Sequence, residues 1–154
     1  MIRAARLSDS PRAVELLRDS RLAAGFDSPG GLTGFCFPFD PLYAARLFMA
    51  HLGQPHRLCL VLDVDGMAQG VLMAVASEHP FGPVWLARES VWWIDPAHRG
   101  TAALRMLDAY EAWAAQCGCA CAGMAGMGDD PQVATLYRRR GYRTAEIHFL
   151  KAFA

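Results

Sequence analysis

From Trp92 to Leu104 the sequence reads WWIDPAHRGTAAL: two aromatic residues and Ile94, an Asp-Pro break, a basic turn of small residues, then the start of a long amphipathic run. Pro96 lacks the N–H that a strand ladder needs and biases Asp95 away from helix, so a strand stops here. Two readings of that stop are open. In one, Asp95-Pro96 is an ordinary terminator. In the other, the turn aims a helix start at an anion, because the first turn of a helix exposes unpaired N–H groups at the positive end of its macrodipole. Arg99, Gly100, Thr101, Ala102, Ala103 and Leu104 would then form a phosphate cradle.

A second residue able to do chemistry is Glu89, ten positions before Arg99 in an otherwise apolar stretch. As a carboxylate in a cleft it would be a general base or hold a water; as a structural group it would pair with Arg88 or another arginine. Register decides between the two, since one slip or bulge sends a strand side chain to the opposite face. Glu78 and His79 are the reserves, with His79 in a Pro/Gly turn where an exposed role is the alternative. The five cysteines, Cys36, Cys59, Cys117, Cys119 and Cys121, contain no CxxC pair and no His cluster follows them. They read as free thiols in a reducing compartment, and no metal site is expected.

The elements that must position these residues follow from periodicity and breakers. Residues 2–6 suit a short strand. SDSPRAVELLRDSRLAAG starts a helix with Ser10 as N-cap, Pro11 at the first helical position and Gly25 beyond its end, with Val14 and Leu17 facing inward. Residues 26–41 form an irregular loop rich in Gly, Pro and Phe. Its Phe35, Phe37 and Phe39, with Tyr43 beyond it, either line an apolar pocket or anchor the loop to the core. A second helix follows Pro41, with Leu42, Ala45, Met49 and Leu52 at helical spacing.

RLCLVLD and AQGVLMAVAS flank Asp65-Gly66 and predict a hairpin. VWLARESVWWI is the next strand, apolar enough to be central and covered on both faces. The helix over residues 100–117 carries Met106, Tyr110, Trp113 and Cys117 on one stripe. A small-residue strand, CACAGMAGM, precedes a helix capped by Asp130, with Pro131 at its first position and Gly141 at its C-cap; RTAEIHFLKAF closes as a strand. Arg138, Arg139 and Arg140 read as a solvated run that complements the helix macrodipole.

At 154 residues, with no internal repeat and no linker, the chain reads as one domain, 1–154. A hydrophobic share of 53% against 19% charged residues excludes a disordered chain. Fifteen basic residues balance fifteen acidic ones, which gives no reason to expect nucleic acid or an anionic membrane as a partner. The N-terminus is too polar for a signal sequence and no apolar run has membrane length, so a cytoplasmic protein is expected.

Two blocks taken together resemble the GNAT superfamily of N-acetyltransferases. In the first, the family's cofactor loop reads Arg or Gln, any, any, Gly, any, Gly or Ala. Arg99 matches its first position, while Ala102 and Leu104 stand at its glycine-type positions; both adopt helical φ without strain. In the second, Asp130 stands where the family has Asn, followed seven residues later by Tyr137 and then by Gly141-Tyr142. The resemblance implies a single-domain mixed α/β (α+β) fold, a central mixed, splayed β-sheet flanked by about four helices, and acetyl-CoA as cofactor.

It further implies acetyl transfer to a primary amine of a small molecule or peptide by direct attack on the thioester. The backbone of Trp92, Trp93 and Ile94 would grip the pantetheine arm and the thioester oxygen; the side chains of both tryptophans read as packing groups. Residues 99–104 would hold the phosphates, Asp130 would cap its helix beside the cofactor, Glu89 would serve as base or water-holder, and Tyr137 would give a proton to the sulfur or hydrogen-bond the leaving thiolate. A core tyrosine is the other reading of Tyr137. A homodimer is compatible with this picture. The rival function is a catalytically silent relative that binds CoA or a protein partner through the same surface.

Overall fold

In the computed structural model, residues 1–31, 33–126 and 133–153 are described. Strand β1, Ile2–Ala4, leads through a short 3-10 turn, Leu7–Asp9, into helix α1, Ser10–Ala23. Pro11 sits in the first helical turn, where a missing N–H costs nothing. The N-cap is Asp9 and not Ser10, because the preceding turn already brings Ser10 into helical geometry. Ala13, Leu16 and Leu17 form the buried face, with Val14 only partly covered.

Helix α2, Pro41–Met49, is capped by Asp40, whose Oδ1 accepts from the N–H groups of Leu42 at 2.8 Å and Tyr43 at 3.1 Å. Its buried face is Ala44 and Phe48, not the expected Leu42, Ala45 and Met49; Leu42 is 76% exposed. In a helix this apolar two stripes satisfy the period, and the one carrying the larger Phe48 ring is buried. In the loop before α2, Phe26 and Phe35 pack against Phe37, with ring centroids 4.9 and 6.4 Å apart, and Phe39 reaches the core while Tyr43 stays exposed.

Strands β2, Arg57–Val64, and β3, Met67–His79, form the expected hairpin, with φ of 51° at Asp65 and 83° at Gly66. Two consecutive positive φ values suit a tight hairpin turn and favour the Asp-Gly pair. Strand β4, Gly82–Ile94, pairs antiparallel with β3, and strand β5, Cys121–Gly123, pairs parallel with β4. The resulting sheet is mixed, five-stranded and ordered β1-β2-β3-β4-β5. Helix α3, Thr101–Gln116, lies between β4 and β5 in the chain, and helix α4, Ala134–Arg139, follows β5.

Two cores result. On one face α1 and α2 pack against Val61, Val71 and Met73; on the other α3 packs against Leu60, Leu62, Leu72, Ala74 and Ile94. The α3 face is Met106, Leu107, Tyr110 and Ala114, with Trp113 and Cys117 only partly covered. The strand sealed on both sides is β3; in β4 only Ala87 and Ile94 are fully buried, because β5 accompanies it for three residues alone. The closing strand expected over residues 143–153 does not form: this segment joins no ladder, and Ile147, Phe149 and Phe153 are 73%, 90% and 90% exposed. Its apolar alternation fits a strand, but alternation alone supplies no neighbouring edge. Among the described residues no helix is long and apolar enough to cross a membrane.

Candidate active site

The β3–β4 ladder runs from Gly70↔Ile94 to Met73↔Val91 and then jumps to Ala74↔Glu89. Ser90 is therefore an extra residue, a β-bulge on β4. Its effect on side-chain direction is decisive. Strict alternation from Trp92 and Ile94 would place Glu89 with Val91 and Trp93 on the α1 side; the bulge restores it to the α3 side, opposite Ala74. Beyond Arg88↔Gly123 strand β5 no longer pairs with β4, so the edge of β4 from Glu89 to Ile94 that would face β5 meets no described strand.

Residue Ala125, just past β5, bridges the gap. Glu89 Oε2 accepts from the Ala125 N–H at 3.0 Å, and the Tyr137 hydroxyl donates to the Ala125 carbonyl at 2.9 Å. The two groups thus converge on one residue at the point where the strands part. Burial raises the Glu89 pKa above the usual carboxylate range, and the Ala125 N–H pulls it partly back. Burial, then the Glu89 charge, then Tyr142 push the Tyr137 phenol well above its ordinary value, so it holds its proton at any working pH. Glu89 has no arginine partner among the described residues, since Arg88 turns to Glu146 at 3.4 Å.

Tyr137 is fixed by its surroundings. Its ring lies 6.2 Å from Trp92 and 5.7 Å from Tyr142, and Arg140 ties α4 to α3 through Asp108 at 2.6 Å and Glu111 at 2.7 Å. Tyr142 donates to Glu111 as well, at 3.1 Å. Arg140 is thus an anchor and not part of a solvated run, because the α3 carboxylates stand within its reach. On the floor of the gap the fully buried Tyr110 donates to the Gly123 carbonyl at 2.8 Å.

At the other end of β4, Asp95 caps the turn Pro96–His98 by accepting from the Ala97 N–H at 3.0 Å. Gly100 then takes φ 87° and ψ −126°, a conformation closed to residues with a Cβ, and α3 begins. The Ala103 N–H bonds the Gly100 carbonyl at 3.1 Å, whereas helix geometry leaves the Thr101 and Ala102 amides without an intrahelical acceptor. Arg99 folds back: its Nε donates to the Ile94 carbonyl at 3.0 Å and its guanidinium lies 4.7 Å over the Trp93 ring.

The sequence matches the acetyltransferase (GNAT) family over residues 26–142. The chain belongs to the GNAT acetyltransferase family. Solved structures of low identity share the fold. One is a ribosomal-protein-alanine N-acetyltransferase from Brucella melitensis biovar Abortus 2308, with TM-score 0.74 and 16% identity over 99% of this chain and 98% of that one. Another is an aminoglycoside antibiotic 6′-N-acetyltransferase from Acinetobacter haemolyticus, with TM-score 0.72 and 18% identity over 100% and 99% of the two chains. A predicted acetyltransferase from Clostridium acetobutylicum, solved with acetyl-CoA, gives TM-score 0.74 and 13% identity over 99% and 95%. No sequence among the curated proteins matches.

Members of this acetyltransferase family draw the acetyl group from acetyl-CoA. The residues present suit that cofactor. The α3 start offers amides with no Cβ at Gly100 to crowd them, and nothing lies within 4 Å of where one would stand. The Trp92 Nε1 is buried without a hydrogen-bond partner among the described residues, a donor left unused on the α3 side of β4. Trp92 packs on the α3 side and Trp93 on the α1 side, as their adjacency requires; Ile94 is buried and Leu104 is 40% exposed.

Asp130 lies outside the described residues. Glu78 and His79 stand away from the Glu89–Tyr137 pair, at the tip of the β3–β4 hairpin, where they line a hollow of about 370 Å³ with Ser77, Phe81, Arg88 and Glu146. Sequence reasoning missed Ala125, which contributes only backbone, and Tyr110, which looks like any core aromatic. It also missed the bulge, for which a serine inside an apolar strand was the one available signal.

Proposed function

We propose that this acetyltransferase moves an acetyl group from acetyl-CoA to a primary amine of a small molecule or peptide by direct attack on the thioester, with Glu89 and Tyr137 as its proton-handling residues. The observation that carries the reading is their convergence on Ala125 where β4 and β5 part, one a raised-pKa carboxyl and the other a phenol. Bound acetyl-CoA supplies an acetyl group activated as a thioester. The Thr101 and Ala102 amides, with the charge of Arg99, hold its phosphates, and the unpaired edge of β4 from Glu89 to Ile94 offers backbone groups to the pantetheine arm.

An acceptor amine with a lysine-like pKa of ~10.4 is almost wholly protonated at neutral pH. Glu89 accepts that proton at its carboxylate, directly or through one water, and its raised pKa brings its basicity closer to the working pH. Tyr137 keeps its proton at Oη, available to a leaving sulfur once its bond to the Ala125 carbonyl is exchanged for one to the substrate. Calorimetric titration with acetyl-CoA followed by a thiol-release assay over a panel of primary amines tests the reading. Saturable binding with amine-dependent thiol release supports it. Binding with no release from any amine would make the protein a silent relative, and no binding would remove the cofactor altogether.

A further inference from the structure

The turn that leads into α3 is held from behind by a residue of α1. Asp95 organises that turn: its Oδ1 accepts from the Ala97 N–H at 3.0 Å, its carbonyl accepts from the His98 N–H at 2.8 Å, and its own N–H donates to the Gln69 carbonyl at 2.9 Å. The second carboxylate oxygen, Oδ2, faces Arg12 Nη2 at 3.5 Å. Arg12 comes from the first turn of α1, 83 residues earlier in the chain. Three more of its donors are engaged: Nε on the Ala68 carbonyl at 3.2 Å, Nη2 on the Gln69 side-chain oxygen at 3.1 Å, and Nη1 on Glu15 at 2.6 Å. The side chain is 26% exposed. One guanidinium therefore fastens α1, the start of β3 and the cap of the turn.

We infer that Arg12 is a positioning residue for the cofactor-binding turn, setting the affinity for the phosphates of acetyl-CoA without touching them. This rests on the acetyl-CoA reading above. Backbone amides serve as anion donors only while their directions are fixed, and the directions at residues 99–104 follow from the turn that Asp95 caps. The Gln69 backbone carbonyl and side-chain oxygen support Asp95 and Arg12 respectively, so the two contacts share one anchoring residue. A planar fork with donors in several directions meets all four acceptors together, which a lysine ammonium on a flexible stem does not. At 3.5 Å the ion pair with Asp95 is long and partly solvated, so the coupling is modest and falls on binding, not on the proton transfers at Glu89 and Tyr137.

The test compares two donors that differ at the far end. Acetyl-CoA carries the pyrophosphate and nucleotide; S-acetylpantetheine carries the same thioester and arm without them. Wild type, Arg12→Met and Arg12→Lys are each titrated with both, and their melting temperatures are recorded. Arg12→Met is expected to raise the Kd of acetyl-CoA about five- to tenfold and leave that of S-acetylpantetheine within about twofold, with Arg12→Lys between. In the Arg12→Met background Asp95→Asn is expected to add less than it does alone.

An unchanged acetyl-CoA Kd in Arg12→Met would overturn the inference. So would equal losses for the two donors, which mark general loosening of the fold. Failure of the wild type to bind either donor would remove the acetyl-CoA reading itself, and with it this role for Arg12.

Discussion

Replacing Glu89 by Gln removes a charge and a proton-accepting site while keeping an oxygen for the Ala125 N–H, now bonded at 3.0 Å. If Glu89 is the base, kcat/KM falls by about 10²–10⁴-fold at neutral pH, which is about 3–5 kcal/mol of barrier at 1.36 kcal/mol per tenfold. The loss is largest at low pH. Wild-type activity falls as pH drops through the raised carboxyl pKa, whereas the variant waits on the amine itself, near ~10.4, so the two profiles approach each other as pH rises.

Stability moves the other way. A carboxyl whose folded pKa is raised by burial weakens the fold in its ionised form, so Glu89→Gln melts at or above the wild-type temperature at neutral pH. A built-in reporter accompanies the rate. The Glu89 charge helps raise the Tyr110 and Tyr137 phenols, so spectrophotometric titration of the variant finds both ionising at lower pH. A thiol-release rate equal to wild type at every pH, together with a lower melting temperature, would refute the reasoning and leave Glu89 a structural residue.

Tyr137→Phe keeps the ring packing on Trp92 but removes the proton donor, so kcat falls by about 10²-fold or more with acetyl-CoA affinity nearly intact, as rate and titration together report. Gly100→Ala costs about 1–3 kcal/mol of stability in a thermal melt, through φ 87° and not through crowding, and it weakens acetyl-CoA binding because the helix start shifts. Asp9 accepts two bonds from Arg3, at 2.8 and 2.9 Å, and one from the Arg6 N–H at 2.7 Å, and Arg3 foremost holds its pKa below the usual carboxylate range. The stability this supplies is present above the unfolded value of ~3.9 and is lost as pH falls through the lower folded value. Asp9→Asn therefore melts lower at neutral pH but loses less on acidification.

The strand-turn-helix at Asp95–Gly100 was legible because each step has a local cause: Pro96 ends the ladder, Asp95 caps, and Gly100 alone accepts its φ. The hairpin at Asp65-Gly66 was legible for the same reason. The stripe of α2 was not, since Leu42 and Phe48 satisfy the helical period equally and only tertiary packing chooses. Nor was the face of Glu89, which depends on one extra residue whose bulge shows in the pairing of two strands. The absent ladder over residues 143–153 has the same origin: alternation describes one strand, while a ladder needs a second.

At the level of the gene, β4 tolerates changes of length unequally. Loss of the Ser90 codon would leave every neighbour on its present face, because Ser90 is the residue the ladder already skips between Met73↔Val91 and Ala74↔Glu89. What would vanish is the local bend of β4. Loss of the Glu89 codon would instead shift the preceding residues by one place against β3, carrying Arg88 to the buried face and Ala87 to the exposed one. A single-codon deletion at position 90 is thus an event by which a descendant of this sequence could straighten β4 beside Glu89 and keep its core.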